Sequence, residues 1–395
     1  MINDFLKYQA KTTPYPMGLE IAKAKGSYIY DTRGNKYLDF VAGVSACSLG
    51  HRPRPVLRAM KKQMRKHMHV MVYGEFAQKP AVAFAKALID RLAPSLEQLY
   101  LTNSGTEAIE GALKLAKRAT GRSQIIAADQ AYHGSTHGAL SLLGLEAQKS
   151  AFRPLLPDVN FIRFNDFSAI EKITTQTAAV VLETIQGGAG FLVPESGYLE
   201  AVSKRCKAVG ACLILDEIQP GFGRTGKLFA YEHYGIVPDI LVMGKGMAAG
   251  MPVGAFAASK KLMEQLTTNP PLGHITTFGG NPVIAAASLA TLETIEQQKL
   301  MEQIDAKEAL FRKLLVHPLI EKVNGRGLML APILRHQDLT APLVNKAMGK
   351  GLLLFFLLWE KRAVRISPPL TISTKEIEKG CKILLSCLDE LQSVN

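Results

Sequence analysis

Tryptophan occurs once in this 395-residue chain and cysteine only five times. The cysteines (Cys47, Cys206, Cys212, Cys381 and Cys387) are odd in number, and no two stand in CxxC spacing. A disulfide framework and a thiolate metal ribbon are therefore excluded, and the simplest reading is a reduced, cytoplasmic compartment. Long apolar runs are missing as well. The longest, residues 352–359, is too short to span a bilayer and reads as a buried strand. Residues 1–16 lack the apolar core of a secretory leader, so a soluble protein with no membrane partner is expected. Acidic residues are in deficit, 34 against 47 basic, for a formal charge of +13. That balance suits nucleic acid, acidic membranes or anionic small molecules. In the densest basic stretch, residues 52–66, Val56, Leu57, Met60 and Met64 fall at helical spacing. The charges then form the wet face of an amphipathic helix. No aromatic residues interleave with them as a base-stacking platform requires, and no nucleic-acid partner is expected.

Apolar residues make up 47% of the chain, enough for a sizeable core, and the length suits a large domain with a smaller one attached. An irregular start leads into a hairpin, Tyr28-Ile29-Tyr30 and Tyr37-Leu38-Asp39-Phe40 about Arg33-Gly34-Asn35. Short apolar runs then alternate with helical stretches: residues 99–101, 125–127, 161–164, 178–182, 212–215, 240–243 and 255–258. Such alternation predicts an α/β fold, a mostly parallel sheet covered on both faces. Residues 267–273 read as a surface loop, a long helix runs from about 282 to 315, and an α+β cap follows. The expected division is a large α/β domain at 56–285. A small domain draws on both termini, residues 1–55 and 286–395, the latter beginning with the linking helix.

Charged groups stand at the ends of buried runs. Asp216 closes Cys212-Leu213-Ile214-Leu215, and Lys245 follows Ile240-Leu241-Val242-Met243-Gly244. Strand ends are where α/β sheets bind ligands. A lysine and an aspartate so placed are the two groups a pyridoxal phosphate enzyme requires. The lysine forms the Schiff base, and the aspartate keeps the pyridine nitrogen protonated so that the ring accepts electrons. Holding a free lysine neutral near pH 7 costs about 4–5 kcal/mol, a burden that the imine removes. The released amine can afterwards move a substrate proton.

Ser104-Gly105-Thr106-Glu107 lies between a short strand and a helix, as a phosphate site or as an ordinary cap. Tyr132, in Tyr132-His133-Gly134, could stack on a flat ring. His133 and His137 are four apart without a third ligand, and no metal is expected. Residues 221–227 match the GxxxxGK spacing of a phosphate loop. Leu228 then lacks the magnesium-binding hydroxyl, and five residues separate Leu215 from Gly221.

Together these pieces resemble the class III, acetylornithine/ornithine-type, pyridoxal phosphate aminotransferases. The resemblance runs from about Gly26 to Leu370, through Leu49-Gly50-His51, Ser104-Gly105-Thr106-Glu107-Ala108, Leu215-Asp216-Glu217-Ile218-Gln219, Gly244-Lys245-Gly246 and Thr277-Phe278-Gly279-Gly280-Asn281-Pro282. It implies fold type I, a homodimer with a shared active site, and a ping-pong transfer. The amino group passes from an amino acid or ω-amino donor to a 2-oxo acid, with 2-oxoglutarate the expected acceptor. It also implies catalytic roles for Lys245 and Asp216. Gly105, Thr106, Tyr132, His133, Glu183 and Gln219 contact the cofactor, together with Thr277 from the neighbouring subunit. Arg365, in Val364-Arg365-Ile366-Ser367-Pro368, becomes the carboxylate clamp.

Two departures bear on the donor. Ser135 stands where acetylornithine and ornithine enzymes usually have arginine. Gly188 stands where they usually carry the glutamate that masks the carboxylate arginine, and Thr184 replaces a usual proline. Val44 takes the place of a tyrosine of ornithine-δ enzymes. An unmasked Arg365 would favour a donor that brings its own carboxylate, or a substrate with an unusual remote group. The alternatives are a class III aminotransferase for 4-aminobutyrate or a diamine, and an aminomutase or decarboxylase on the same scaffold.

Overall fold

Every apolar run in the middle of the chain forms a strand in the computed structural model, which describes residues 1–393. In chain order the strands are β1 (Ile21–Lys25), β2 (Tyr28–Asp31), β3 (Lys36–Asp39), β4 (Gln98–Thr102), β5 (Gln124–Ala128), β6 (Val159–Ile162), β7 (Thr177–Glu183), β8 (Cys212–Asp216), β9 (Ile240–Gly244), β10 (Gly254–Ala258), β11 (Ile320–Arg326), β12 (Met329–Leu334), β13 (Leu352–Leu353), β14 (Phe355–Phe356) and β15 (Val364–Arg365). The central sheet has seven strands in the order β4-β10-β9-β8-β7-β5-β6. β10 runs antiparallel to both neighbours, and the other pairings are parallel. Every residue of β7, β8, β9 and β10 is buried, as strands covered on both faces must be.

The helix that carries the predicted phosphate turn, Gly105–Thr120, is specified at both ends. Ser104 caps it, its side chain accepting from the Glu107 N–H. Glu107 lies in the first turn, Lys117 and Arg118 in the last, each sign matching the helix dipole. Gly121 ends it in the left-handed region. Its buried face is Ala108, Ile109, Ala112, Leu113 and Ala116, which pack with Ile125, Val181 and Ile214 of the sheet.

The two chain ends meet in a four-stranded sheet, β1-β2-β3-β13, where β13 lies parallel to β3. Phe40 is fully buried beneath it against Phe311, ring centroids 5.4 Å apart. Truncating a ring so placed costs about 3–5 kcal/mol.

Three expectations need correction. β1 lies in the stretch read as irregular, because its mostly exposed residues give no apolar alternation. The long helix is two helices, Pro282–Gln297 and Ile304–Leu314, parted where Lys299 takes φ 50°. Residues 352–359 are not one buried strand. Leu352 and Leu353 join the small sheet, whereas Phe355 and Phe356 pair with Val364 and Arg365 and stand exposed. Among the described residues no helix is long and apolar enough to cross a membrane.

Candidate active site

The parallel register brings the ends of β7 and β8 level, with β9 running two residues further. Glu183 of β7 pairs with Asp216 of β8, Asp216 with Val242 of β9, and Lys245 follows the last residue of β9. Lys245 has φ 42°, a left-handed value unusual for a side chain of this size, so the surrounding turn holds it there. All three side chains reach a cavity of about 460 Å³. Behind Asp216, His133 Nδ1 lies 2.7 Å from Oδ2, and the Ile218 N–H donates to Oδ1 at 2.9 Å. An ionised carboxylate has about four lone-pair sites, so room remains for one more donor.

The charges in this group are mutually adjusted. Burial pushes the His133 pKa down, but the hydrogen bond and charge of Asp216, with the charge of Glu183, outweigh it and the net shift is upward. Burial raises Glu183 to about 7 despite His133 and backbone donors from Gly187 and Tyr132, at 3.0 and 3.2 Å. Burial lowers Lys245; Asp216 and Glu183 oppose that, and the charge of Arg365 adds to it. A lowered amine is the form a nucleophilic lysine needs.

One wall is a cradle for an anion. Gly105 and Thr106 open the Gly105–Thr120 helix, whose first N–H groups lack intrahelical partners. A Cβ on Gly105 would sit 2.6 Å from Ile218 Cδ1, so glycine is needed where the turn meets the cavity wall. The Thr106 hydroxyl contacts that of Thr136 at 2.7 Å. Ser104 is also a genuine cap, but Glu107 reaches past it to the Asn103 N–H at 2.8 Å. Cap and cradle therefore coexist. The Nε2 atoms of His133 and Gln219 are buried without partners, which fits a polar ring ligand between them.

Opposite lies Arg365. Its Nε and Nη1 are buried and unpaired, its guanidinium stands 5.2 Å from the Phe191 ring centroid, and burial alone lowers its pKa to about 10. Gly188 lines the same cavity and gives no side chain to neutralise it. A Cβ there would be 2.6 Å from Trp359 Cδ1 and Nε1, and the Trp359 backbone N–H donates to the Gly188 carbonyl at 2.9 Å. Val44 enters from a left-handed turn in which Ala42, Gly43, Val44 and Ser45 all have positive φ. Asp39 braces that turn. Its Oδ1 accepts from the Val41 and Ala42 N–H groups, and its Oδ2 lies 2.7 Å from His51 Nε2.

The cavity thus gathers Lys245, Asp216, Gly105, Thr106, Tyr132, His133, Glu183, Gln219 and Arg365, and does not include Thr277, which is exposed on its own chain. Ser135 lines it and meets the Tyr132 hydroxyl at 3.1 Å. The structure adds Ile218, Pro220, Phe355, Phe356 and Leu358. Ile218 and Pro220 flank Gln219 and were within reach of sequence reasoning. The last three sit in a run whose exposure no periodicity reveals. The GxxxxGK segment is not a phosphate loop. Arg224 within it is fully buried and donates to the carbonyls of Leu328 and Pro368, tying the segment to the C-terminal part of the chain.

The family model for aminotransferase class-III matches residues 8–388. Acetylornithine aminotransferase of Bacillus subtilis is 37% identical over 389 residues, covering 95% of this chain and 97% of its own. That of Archaeoglobus fulgidus is 36% identical over 367 residues, 93% and 94%. The [LysW]-aminoadipate semialdehyde/glutamate semialdehyde transaminase of Sulfurisphaera tokodaii is 37% identical over 319 residues, 79% and 81%. Among solved structures, ornithine aminotransferase of Toxoplasma gondii superposes with a TM-score of 0.93 at 29% identity, covering 100% of this chain and 96% of that one. With Asp216 and Lys245 at the C-terminal ends of neighbouring central strands and these matches across nearly its whole length, the chain belongs to the class III aminotransferases, pyridoxal phosphate-dependent transaminases of fold type I.

Proposed function

We propose that the cavity described above is where this aminotransferase holds pyridoxal phosphate, transferring an amino group from an amino acid or ω-amino donor to a 2-oxo acid, 2-oxoglutarate above all. When bound, the cofactor supplies an aldehyde that captures amines and a ring that accepts the electrons released at the substrate carbon. Gly105 and Thr106 bind its phosphate and Tyr132 covers the ring face. Gln219, whose Nε2 is unpaired, donates to the ring hydroxyl. Asp216 would hold the proton on the pyridine nitrogen, and His133, 2.7 Å from its Oδ2, fixes that carboxylate in place. Lys245 would hold the cofactor's aldehyde, and its amine, lowered by burial, would be the group that takes up and returns the substrate proton. Arg365 takes the substrate carboxylate. The observation carrying the reading is that Glu183 and Asp216 pair at the C-terminal ends of neighbouring strands and that Lys245, just past the end of the next strand, lines the same cavity.

The working unit in this proposal is a homodimer. Thr277 lies on an exposed segment whose Ile275 and Phe278 continue an apolar surface with Met68 and Met71, held together by the His69–Phe278 ring contact at 5.0 Å. Contiguous exposed apolar surface marks an interaction face, and from it Thr277 would reach the phosphate of a second copy. The same reading divides the chain at residues 55 and 285. It also assigns the protein to the cytoplasm, where its five free cysteines stay reduced. The test is spectral. The holoenzyme shows a visible absorption band that is lost in Lys245→Ala and shifts on adding an amino donor, and keto product accumulates only when a 2-oxo acid is supplied. No band, or product without an acceptor, refutes the assignment.

A further inference from the structure

Arg365 and Phe355 are direct cross-strand partners in the β14–β15 pair. Opposed residues of an antiparallel pair project to the same side. The one cationic clamp in the cavity therefore stands beside an aromatic wall. Phe356 and Leu358 extend that wall and Val44 faces the same space. Phe355, Phe356 and Leu358 are 39%, 37% and 49% exposed, although large apolar side chains are normally covered. The carboxylates lining the cavity, Glu183 and Asp216, lie at its floor, engaged by backbone N–H groups and by His133. Ser135, a polar lining residue, is already in contact with the Tyr132 hydroxyl. A charged tail on a substrate clamped at Arg365 would lose its water against Phe355 and gain no opposite charge from these lining residues.

Resting on the aminotransferase reading, we propose that the amino donor is an amino acid with one carboxylate, held by Arg365, and an uncharged apolar substituent, branched aliphatic or aromatic, packed on Phe355, Phe356 and Leu358. Cationic donors of the ornithine type are disfavoured. Val44 closes one side of this subsite, and the Trp359 indole backs the lining residue Gly188.

Trp359 is the sole tryptophan and abuts the lining residue Gly188, so its emission reports on the site. The experiment titrates the holoenzyme with unreactive carboxylates: 4-methylpentanoate, 3-phenylpropanoate and 4-guanidinobutanoate, with titration calorimetry as the second readout. The two apolar acids bind at least tenfold more tightly than 4-guanidinobutanoate, and Arg365→Gln weakens both by at least tenfold. In Phe355→Asp, or in Leu358→Asp, which lies outside any strand, the order reverses. Equal or tighter binding of 4-guanidinobutanoate by the unaltered protein overturns the proposal, as does the absence of binding by either apolar acid in both readouts. In turnover, leucine or phenylalanine exceeds ornithine at least tenfold in kcat/KM, and faster ornithine overturns it too. Binding is read without chemistry, so loss of turnover with the binding order intact would refute the aminotransferase reading alone.

Discussion

At the floor of the cavity Asp216 has both oxygens engaged and Glu183 accepts two backbone N–H groups, all set by strand register. At its mouth Phe355, Phe356 and Leu358 stand partly exposed on a two-residue strand and the loop after it. The floor is rigid because each polar group is fixed by several others, and a buried network left half-satisfied would be costly. The mouth is held mainly by a short ladder and by Trp359 on Gly188, so single substitutions can re-aim it without disturbing the sheet. One fold can thus keep its chemistry at the floor and change its substrate at the rim.

The most damaging way to break the floor is Lys245→Ala, expected to lower turnover by about 10⁴-fold or more, in the range of a lost nucleophile and proton carrier. Borohydride reduction of the unaltered holoenzyme should fix the cofactor at that position, and label found elsewhere would contradict the assignment. Asp216→Asn keeps the shape but removes the charge. Turnover should fall about 10³-fold, and the His133 pKa, read by NMR, should drop once its main stabilising partner is gone.

At the rim, Arg365→Gln should raise KM for carboxylate substrates about 100-fold, with less change in kcat, because it removes binding shared by ground and transition states. The pH dependence sharpens the point. Arg365 clamps as the cation, and its pKa is about 10, so kcat/KM should hold below that value and decline as pH rises through it. A decline beginning only near the ordinary arginine range would mean that a counterion covers it.

Smaller effects are expected in the supports. Burial lowers the His51 pKa, but Asp39 and Cys47 more than restore it, to about 9. A raised pKa stabilises the fold fully below the unfolded value near 6.5, and the contribution fades as pH rises through about 9. His51→Ala should therefore cost about 2–4 kcal/mol at pH 6 and progressively less by pH 9–10, measured by denaturant unfolding. Val44→Gly should be the mildest change. It relieves a β-branched residue at φ 60°, and the gain, net of the entropy of glycine, is about 1 kcal/mol, seen as a Tm higher by about 1 °C.

The floor was legible in the sequence because its signals are local. An apolar run ending in Asp216, another ending ahead of Lys245, and a glycine turn before an amphipathic helix each announce a strand or helix end. The rim was not. Residues 352–359 are apolar throughout, and such a run looks the same whether it fills a core or faces a cavity. Only the pairing of Phe355 with Arg365 tells the two apart. Strand β1 was hidden by its polar composition. The break after Gln297 depends on one left-handed residue, Lys299, that no periodicity foretells. The place of Thr277 cannot be read within one chain, since the cavity of its own chain does not include it.

The indole lying where a side chain at 188 would begin makes the two positions sterically dependent on each other. Installing an acid at 188 while Trp359 remains forces a collision. Removing Trp359 first leaves a gap beside Gly188 that loosens the rim. An acid at 188 and an indole at 359 are thus incompatible in this arrangement, and a designed masking of Arg365 has to change both positions together.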